Sequence, residues 1–104
     1  METTYAKQII IKDIKNDDEQ IQITGYVRNI ADNYFILDDR TGKIKVITTE
    51  SGFINKKNDL INVIGVLSVA VDGEKMLQAN IIQDMTNLNF KYYLKLYELK
   101  RNLP

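Results

Sequence analysis

The chain has 104 residues, the size of a single domain, and its 14 basic and 14 acidic residues cancel, so no net charge draws it to nucleic acids or anionic membranes. It contains no cysteine and no histidine, which excludes disulfide bonds, thiolate and histidine catalysis, and the usual zinc sites. The N-terminus lacks the pattern of a signal peptide, and no apolar run approaches the ~20 residues of a membrane span, so we expect a soluble intracellular protein.

The N-terminal segment combines three consecutive isoleucines, Ile9 to Ile11, with an acidic cluster of Asp17, Asp18 and Glu19. We expect the isoleucines to form a short strand or an extended arm that closes one end of the domain. We expect the acidic cluster to be a solvated loop, as runs of like charge usually are.

Alternation of apolar and polar residues then predicts three consecutive strands, each with one buried face. Asp32 and Asn33 form the first turn, and the sequence DDRTGK supplies the turn between the second and third strands. The buried face is predicted to comprise Ile21, Ile23, Gly25, Val27 and Ile30 on the first strand, Phe35 and Leu37 on the second, and Ile44, Val46 and Thr48 on the third.

The adjacent carboxylates Asp38 and Asp39 allow two interpretations, a metal-binding or catalytic pair and a simple turn. Adjacent residues of a strand point to opposite faces, and no third carboxylate follows at a useful spacing. We therefore expect one of them, together with Thr41, to cap its own turn, with Gly42 supplying the positive φ that the turn needs. No catalytic residue, metal ligand or cofactor site is predicted, and we expect that the protein is not an enzyme.

The remaining strands are predicted in the part of the chain that follows residue 50. Residues 50–59 interrupt the alternation and form either a functional loop or a short helix. A fourth strand over residues 60–71 carries Gly65 in its interior, and a tight turn centred on Asp72 and Gly73 follows. On the fifth strand we expect one shared face of Leu77, Ala79 and Ile81.

After Asp84 the apolar period becomes that of a helix, which we expect to begin near Thr86 or Asn87. It carries two adjacent apolar stripes, one of Phe90, Leu94 and Tyr97 and one of Tyr92, Leu96, Leu99 and Leu103. A helix that packs only on its own domain needs a single apolar stripe. We therefore expect one stripe to pack on its own domain and the other to contact another chain. The alternative is a wholly intramolecular helix with tyrosines at its rim.

Five strands, interior glycines on the first and fourth, a long connection after the third and short hairpins elsewhere predict an all-β fold with a C-terminal helix. The predicted architecture is a five-stranded OB-fold Greek-key barrel. We expect the barrel and its N-terminal lead-in strand to occupy residues 1–84, and the amphipathic assembly helix to occupy residues 85–104.

Five motifs follow one another along the chain: QITGYVRNI, FILDDRTGKIKV, INVIGVL, QANIIQDM and NLNFKYYLKLYEL. In this order they resemble the middle, 32-kilodalton-type subunit of replication protein A, the single-stranded DNA binding complex of eukaryotes and archaea. The resemblance spans almost the whole chain. The middle subunit of the telomere-capping CST complex is similar enough that the two families are not separated by sequence.

The resemblance implies a non-catalytic OB-fold subunit of a complex that binds single-stranded DNA in DNA replication, DNA repair or telomere maintenance. Its partners would be single-stranded DNA, bound weakly by the chain alone, and the larger and smaller OB-fold subunits of a heterotrimer, with no membrane involved. The C-terminal helix would mediate assembly. The protein would lie in the nucleus if eukaryotic and in the cytoplasm or nucleoid if archaeal.

OB-folds bind single strands on the outer surface of their second and third strands and on neighbouring loops, through basic side chains and stacking aromatics. The predicted nucleic-acid-binding residues are Arg28, Tyr34, Ile36, Lys43, Lys45, Ile47, Phe53, Lys56 and Lys57. The predicted subunit interface is Phe90, Tyr93, Leu94, Leu96, Tyr97 and Leu99. The family's stacking positions fall near Thr49 and Ala70, which cannot stack, so the alternative is a protein–protein scaffold with little or no intrinsic nucleic acid binding.

Overall fold

The structure, a computed structural model, describes residues 6–48 and 56–101. The strands formed by these residues are β1 (Lys7–Gln8), β2 (Gln20–Arg28), β3 (Tyr34–Asp38), β4 (Lys43–Ile47), β5 (Leu60–Val69) and β6 (Lys75–Asp84). A 3₁₀ helix spans Ile11–Asp13, and an α-helix, α1, spans Phe90–Arg101.

Strands β2 to β6 close into a barrel because β2 pairs with two neighbours. Its C-terminal part, from Tyr26 to Arg28, pairs with antiparallel β3, while Gln20 to Tyr26 pair with β5. Strand β3 pairs with β4, β5 pairs with β6, and the parallel pairing of β4 with β6 completes the ring. This is the five-stranded OB-fold barrel that the sequence predicts.

Two buried glycines allow the backbones of neighbouring strands to approach closely. A Cβ atom on Gly25 would lie 2.8 Å from the carbonyl oxygen of Asp38. A Cβ atom on Gly65 would overlap the carbonyl oxygen of Gln78. The interior glycines of the first and fourth predicted strands therefore lie where the closed barrel leaves no room for a side chain.

The interior of the barrel is filled by the apolar faces of β2 to β6. Most residues of the predicted buried face lie in this interior. The fully buried ones are Ile21, Ile23, Val27, Phe35, Leu37 and Val46, and Ile44 is nearly buried. Strands β5 and β6 add Ile61, Val63 and Leu77, and Ile9 joins from the N-terminal segment. Burying one such side chain stabilises the fold by about 1.5–3 kcal/mol, so this cluster is the main force that holds the barrel closed.

Two residues at strand ends differ from the predicted buried face. Strand β2 ends at Arg28, because Asn29 takes a left-handed conformation with φ of 45° that breaks the alternation. Ile30 is therefore 45% exposed, and the prediction that it is buried is wrong. Thr48 follows the end of β4 and is only half-buried.

A β-bulge changes the face that β6 buries. The register between β5 and β6 shifts at the step from Ile64 to Gly65, so that Asn80 is skipped in the pairing. The bulge reverses the phase of the strand: Ile82 packs against the core, and Ile81 is 52% exposed. The predicted shared face of β6 is therefore wrong at Ile81, because strict alternation cannot reveal an inserted residue.

The N-terminal segment packs against the barrel as an arm. Strand β1 lies before the isoleucines and pairs in parallel with β2. Ile9 and Ile10 follow it and are both buried, and Ile11 begins the 3₁₀ helix. The predicted strand or arm is thus present, with its strand two residues earlier than the isoleucine run.

Asp18 differs from the predicted solvated acidic loop. Its Oδ2 accepts a hydrogen bond from the N–H of Lys15 at 2.8 Å, and its Oδ1 lies 3.4 Å from Nζ of Lys7. The backbone hydrogen bond and the nearby lysine hold the pKa of Asp18 below its ordinary value. Asp17 and Glu19 are exposed, as predicted.

The carboxylate of Asp39 organises the turn between β3 and β4 and is almost completely buried. Its Oδ1 accepts hydrogen bonds from the N–H and hydroxyl groups of Thr41 at 2.9 and 2.6 Å, and from the N–H of Gly42 at 3.2 Å. Its Oδ2 accepts a hydrogen bond from the N–H of Ile11 at 2.7 Å. The acidic pair is therefore a turn, as predicted, and Asp39 also anchors the N-terminal arm.

The left-handed residue of this turn is Arg40, with φ of 71°, so the prediction that Gly42 supplies the positive φ is wrong. The N–H of Arg40 donates to Oδ1 of Asp38 at 2.8 Å. Gly42 has a different role, since a Cβ atom there would lie 2.9 Å from the Cγ2 atom of Ile11. The missing side chain lets the N-terminal arm approach the turn.

Helix α1 begins at Phe90 and is capped by Asn89, whose Oδ1 accepts a hydrogen bond from the N–H of Tyr92 at 3.1 Å. The predicted start near Thr86 or Asn87 is too early, because Thr86 belongs to a separate turn and the helix begins at Phe90. The N–H and hydroxyl groups of Thr86 both bond to the carboxylate of Asp84.

One side of α1 is fixed to its own domain at both ends. The buried Phe90 ring packs edge-to-face on Tyr26, with ring centroids 5.1 Å apart. Near the C-terminal end, the Tyr97 hydroxyl donates to Asp13 at 3.1 Å, and the Arg101 guanidinium donates to both oxygens of the same carboxylate. The helix is therefore held against the barrel and the 3₁₀ helix.

We expect Asp39→Asn to destabilise the protein by about 1–3 kcal/mol, because the amide leaves a buried N–H donor without its acceptor. The free energy of unfolding in urea, followed by circular dichroism, measures the change. Asp38→Asn is the matched control, and since its ion pair with Arg28 is partly exposed, we expect a loss below about 1 kcal/mol. Equal losses for the two variants would contradict the role assigned to Asp39.

The carboxylate of Asp13 makes stability depend on pH. Burial raises the pKa of Asp13, but hydrogen bonds from Arg101 and Tyr97 outweigh it and hold the pKa below the ordinary value of 3.8. Because the folded-state pKa is the lower one, the stabilising effect is complete above the unfolded-state pKa and is lost as the pH falls through the folded-state pKa. We expect the wild type to unfold at a higher temperature than Asp13→Asn at neutral pH, and the two unfolding temperatures to converge as the pH falls through the lowered pKa of Asp13. A constant difference across this range would refute the prediction.

Candidate nucleic-acid interface and helix surface

The outer surface of β2, β3 and β4 gathers most of the predicted nucleic-acid-binding residues. The register places Arg28 opposite Ile36 and Ile36 opposite Lys45, which forms one row across the three strands. Paired residues project to the same face of a sheet. The predicted residues that share this outer surface are Arg28, Tyr34, Ile36, Lys43, Lys45 and Ile47.

A groove of about 470 Å³ lies between this surface and the turn that joins β5 to β6. Its lining residues are Asn29, Ile36, Lys43, Ile44, Lys45, Gly73, Glu74 and Lys75. The turn reaches this place because β6 is the parallel neighbour of β4, with Lys45 opposite Met76. Gly73, with φ of 91°, completes the predicted tight turn. The groove therefore combines three lysines with one acidic side chain.

Tyr34 and Lys45 interact with each other on this surface. The Nζ atom of Lys45 lies 4.6 Å from the centroid of the Tyr34 ring. A cation–π contact at a partly exposed site is worth about 0.5–1 kcal/mol. A base that stacks on that face of the ring must first displace the ammonium group.

Arg28 is held by several neighbours. Its Nε lies 3.6 Å from a carboxylate oxygen of Asp38, and its guanidinium donates a hydrogen bond to Oδ1 of Asn58. Its Cζ atom also lies 5.3 Å from the centroid of the Tyr26 ring. A phosphate group that binds Arg28 must therefore share it with Asp38.

The predicted lysines of the long loop, Lys56 and Lys57, are not among the residues that line the groove. Lys56 and Lys57 are exposed, and the next residue, Asn58, donates its N–H to the carbonyl oxygen of Val27 at 2.7 Å. This bond holds the end of the loop against β2. Phe53 and the stacking position Thr49 lie outside the described residues, and Ala70 is half-buried before the β5–β6 turn.

Sequence reasoning missed three residues of this region. Lys75 follows a predicted turn, but only the β4–β6 pairing shows that the turn stands beside the groove. Tyr26 has the same outward phase as Arg28, so the alternation contained the signal that places it on this surface. Arg40 has no such signal, since its position depends on the shape of the turn.

Helix α1 divides the predicted subunit-interface residues between its two sides. Phe90, Tyr93, Leu94 and Tyr97 lie on the side that contacts its own domain and are buried or half-buried. Leu96 and Leu99 are exposed, and Tyr92, on the same side, is 59% exposed. We call these three residues, Tyr92, Leu96 and Leu99, the outer helix stripe. Over the described part of α1 the expected pair of stripes is present, one covered and one uncovered, and Leu103 of the second stripe lies outside the described residues.

The part of the chain that the structure describes contains no group of three or more acidic side chains that could hold a metal ion. Among the same residues, no helix is long and apolar enough to cross a membrane.

Neither a protein-family model nor a curated protein sequence matches the chain. Solved structures do match. The telomere capping protein Ten1 from Saccharomyces pombe superposes with a TM-score of 0.77 and 18% identity, over 95% of this chain and 100% of that chain. A chain of the S. pombe Stn1–Ten1 complex superposes with a TM-score of 0.79 and 16% identity, over 99% and 98% of the two chains.

A chain of a replication protein A heterotrimer bound to single-stranded DNA superposes with a TM-score of 0.63 and 19% identity, over 78% of this chain and 66% of that chain. At these identities the likeness is one of fold. Telomere capping and replication protein A, the two groups that the sequence resembles, both occur among these structures.

Proposed function

We propose that the chain is a non-catalytic OB-fold subunit of a complex that binds single-stranded DNA. The observation that carries this proposal is the groove beside β4, with its three lysines and the adjacent Tyr34 ring. Single strands bind where cations can contact the phosphates and an aromatic ring can stack under a base. The likeness to chains of the Stn1–Ten1 complex and of replication protein A bound to single-stranded DNA supports the same function.

The comparisons favour a role in telomere maintenance, with DNA replication or repair as the alternative. The superposition on Ten1 covers 95% of the chain. The residues left uncovered are fewer than those of α1, so the superposition includes at least part of this helix. The likeness to replication protein A covers 78% of the chain at a lower TM-score, 0.63 against 0.77. These roles imply the nucleus in a eukaryote, and the cytoplasm or nucleoid in an archaeon.

The proposed contact with DNA is weak for the chain alone. One base stacked on an aromatic ring contributes about 1–3 kcal/mol, and the Tyr34 ring contacts the groove residue Lys45. Lys45 covers one face of that ring, and Arg28 is paired with Asp38. The chain therefore adds a modest contact to the affinity of the whole complex.

The outer helix stripe is the proposed assembly surface. It is apolar, it spans two turns of α1, and lysines flank it at Lys91, Lys95 and Lys100. Charged positions flank the apolar seam in helix bundles in the same way. We propose that the larger and smaller OB-fold subunits of a heterotrimer dock here, with Leu96 and Leu99 in the seam. Phe90, Tyr93, Leu94 and Tyr97 then act by holding α1 in place.

A second candidate function is a protein–protein scaffold with little or no intrinsic nucleic acid binding. The contacts within the outer surface favour it, since Arg28 is bound to Asp38 and Asn58 while Lys45 rests on Tyr34. The DNA-binding experiment below separates the two functions.

We expect Lys43→Ala/Lys45→Ala to weaken binding to a fluorescein-labelled oligothymidylate of about 16 nucleotides. Two lost phosphate contacts make the negative slope of log affinity against log salt shallower by about 1.4. Fluorescence anisotropy at several salt concentrations gives both quantities. Lys95→Ala/Lys100→Ala removes the same charge from a more distant part of the helix and is the matched control, with a salt dependence equal to that of the wild type. Identical losses in the two variants would refute a local site, and the absence of wild-type binding would favour the scaffold.

We expect Leu96→Glu/Leu99→Glu to abolish assembly while the barrel stays folded, because both side chains are exposed and their loss leaves the core intact. The tagged chain is purified from its source cells, and bound OB-fold subunits are identified by mass spectrometry and sized by light scattering. Val71→Glu, at a fully exposed apolar residue of the β5–β6 turn, is the matched control and retains its partners. Retention of the same subunits by the helix variant would rule out this surface.

A further inference from the structure

Arg40 adopts a backbone conformation that its residue type disfavours. Its φ of 71° lies in the left-handed region, where glycine, asparagine and aspartate are the residues with the least strain. The turn that contains Arg40 is otherwise well bonded, through the carboxylates of Asp38 and Asp39. An arginine at this position costs stability that asparagine would not cost, which points to a use for its side chain.

The guanidinium group of Arg40 is placed by two aromatic rings. Its Cζ atom lies 5.2 Å from the centroid of Tyr26 and 6.0 Å from that of Phe90. The Tyr26 ring also has Arg28 above it, at 5.3 Å. In the described part of the chain Arg40 forms no ion pair, whereas Arg28 is paired with Asp38.

This pair of arginines continues the surface that carries the groove. Tyr26 lies opposite Asp38 on β3, and Asp38 lies opposite the groove residue Lys43 on β4. The row from Lys43 to Tyr26 therefore leads from the groove to Arg40. Three cationic side chains lie along this row, those of Lys43, Arg28 and Arg40, beside one carboxylate, that of Asp38. The local charge is therefore positive, although the whole chain is neutral.

We propose that Arg40 binds a backbone phosphate of the single strand at the point where the strand leaves the groove across Tyr26. This inference rests on the proposed DNA binding and adds a contact that lies outside the groove. An arginine held on a ring keeps its N–H donors directed outward and loses little conformational freedom when a phosphate binds. The aromatic contacts thus prepare the guanidinium for an anion instead of neutralising it.

Arg40→Asn tests this contact, because asparagine accepts the left-handed conformation. We expect an unfolding temperature equal to or above that of the wild type, together with a several-fold loss of affinity for labelled oligothymidylate. The negative slope of log affinity against log salt becomes shallower by about 0.7, the effect of one lost phosphate contact on a single strand. Arg40→Lys keeps the charge, so its salt slope stays close to that of the wild type.

Two further variants separate this inference from the proposed function. Lys100→Asn removes an equal charge from the helix and leaves affinity and slope unchanged, whereas Lys43→Ala reports on the groove itself. If Lys43→Ala makes the slope shallower and Arg40→Asn does not, the Arg40 contact is overturned and the DNA-binding function stands. If the wild-type chain does not bind the oligonucleotide, both are overturned.

Discussion

The relative positions of the β3–β4 turn and the N-terminal arm depend on one buried carboxylate, that of Asp39. A charge removed from water is tolerated only when hydrogen bonds replace the lost hydration, and four donors do so here. Three of them belong to Thr41 and Gly42 in its own turn, and the fourth is the N–H of Ile11, distant in sequence. Because both oxygens are used, neither the turn nor the N-terminal arm can shift without leaving part of this charge unpaired.

The two candidate surfaces are positioned by the two segments that this carboxylate joins. On one side, the turn holds Arg40 in its left-handed conformation and brings it over Tyr26 and Phe90. On the other side, the arm places the 3₁₀ helix, where Asp13 binds Tyr97 and Arg101. Both ends of α1 thus contact elements that Asp39 fixes. The outer helix stripe consequently has a defined orientation relative to the groove.

Most of the barrel was predictable because burial imposes an alternation that the sequence records directly, as at Phe35 and Leu37. The predictions of burial are wrong where the structure is determined by a contact between residues that are distant in sequence. Ile81 is exposed because the bulge opposite Gly65 inserts a residue, and a period of two contains no sign of that. The outer-surface lysines were predictable from the same alternation. The contact of Tyr34 with Lys45 was not predictable, because it depends on a neighbour on the next strand. The position of Arg40 was not predictable either, because it depends on the shape of a turn.

The contacts within the outer surface bear on the proposed role of the chain inside a complex. The cation–π contact of Lys45 with Tyr34 is worth about 0.5–1 kcal/mol, so a stacked base worth about 1–3 kcal/mol can displace it at a moderate cost. The displaced ammonium then becomes free for a phosphate. Helix α1 begins beside Tyr26, at the edge of the same surface. A subunit docked on that helix would lie next to the path of the strand, so assembly and DNA binding would reinforce each other through proximity.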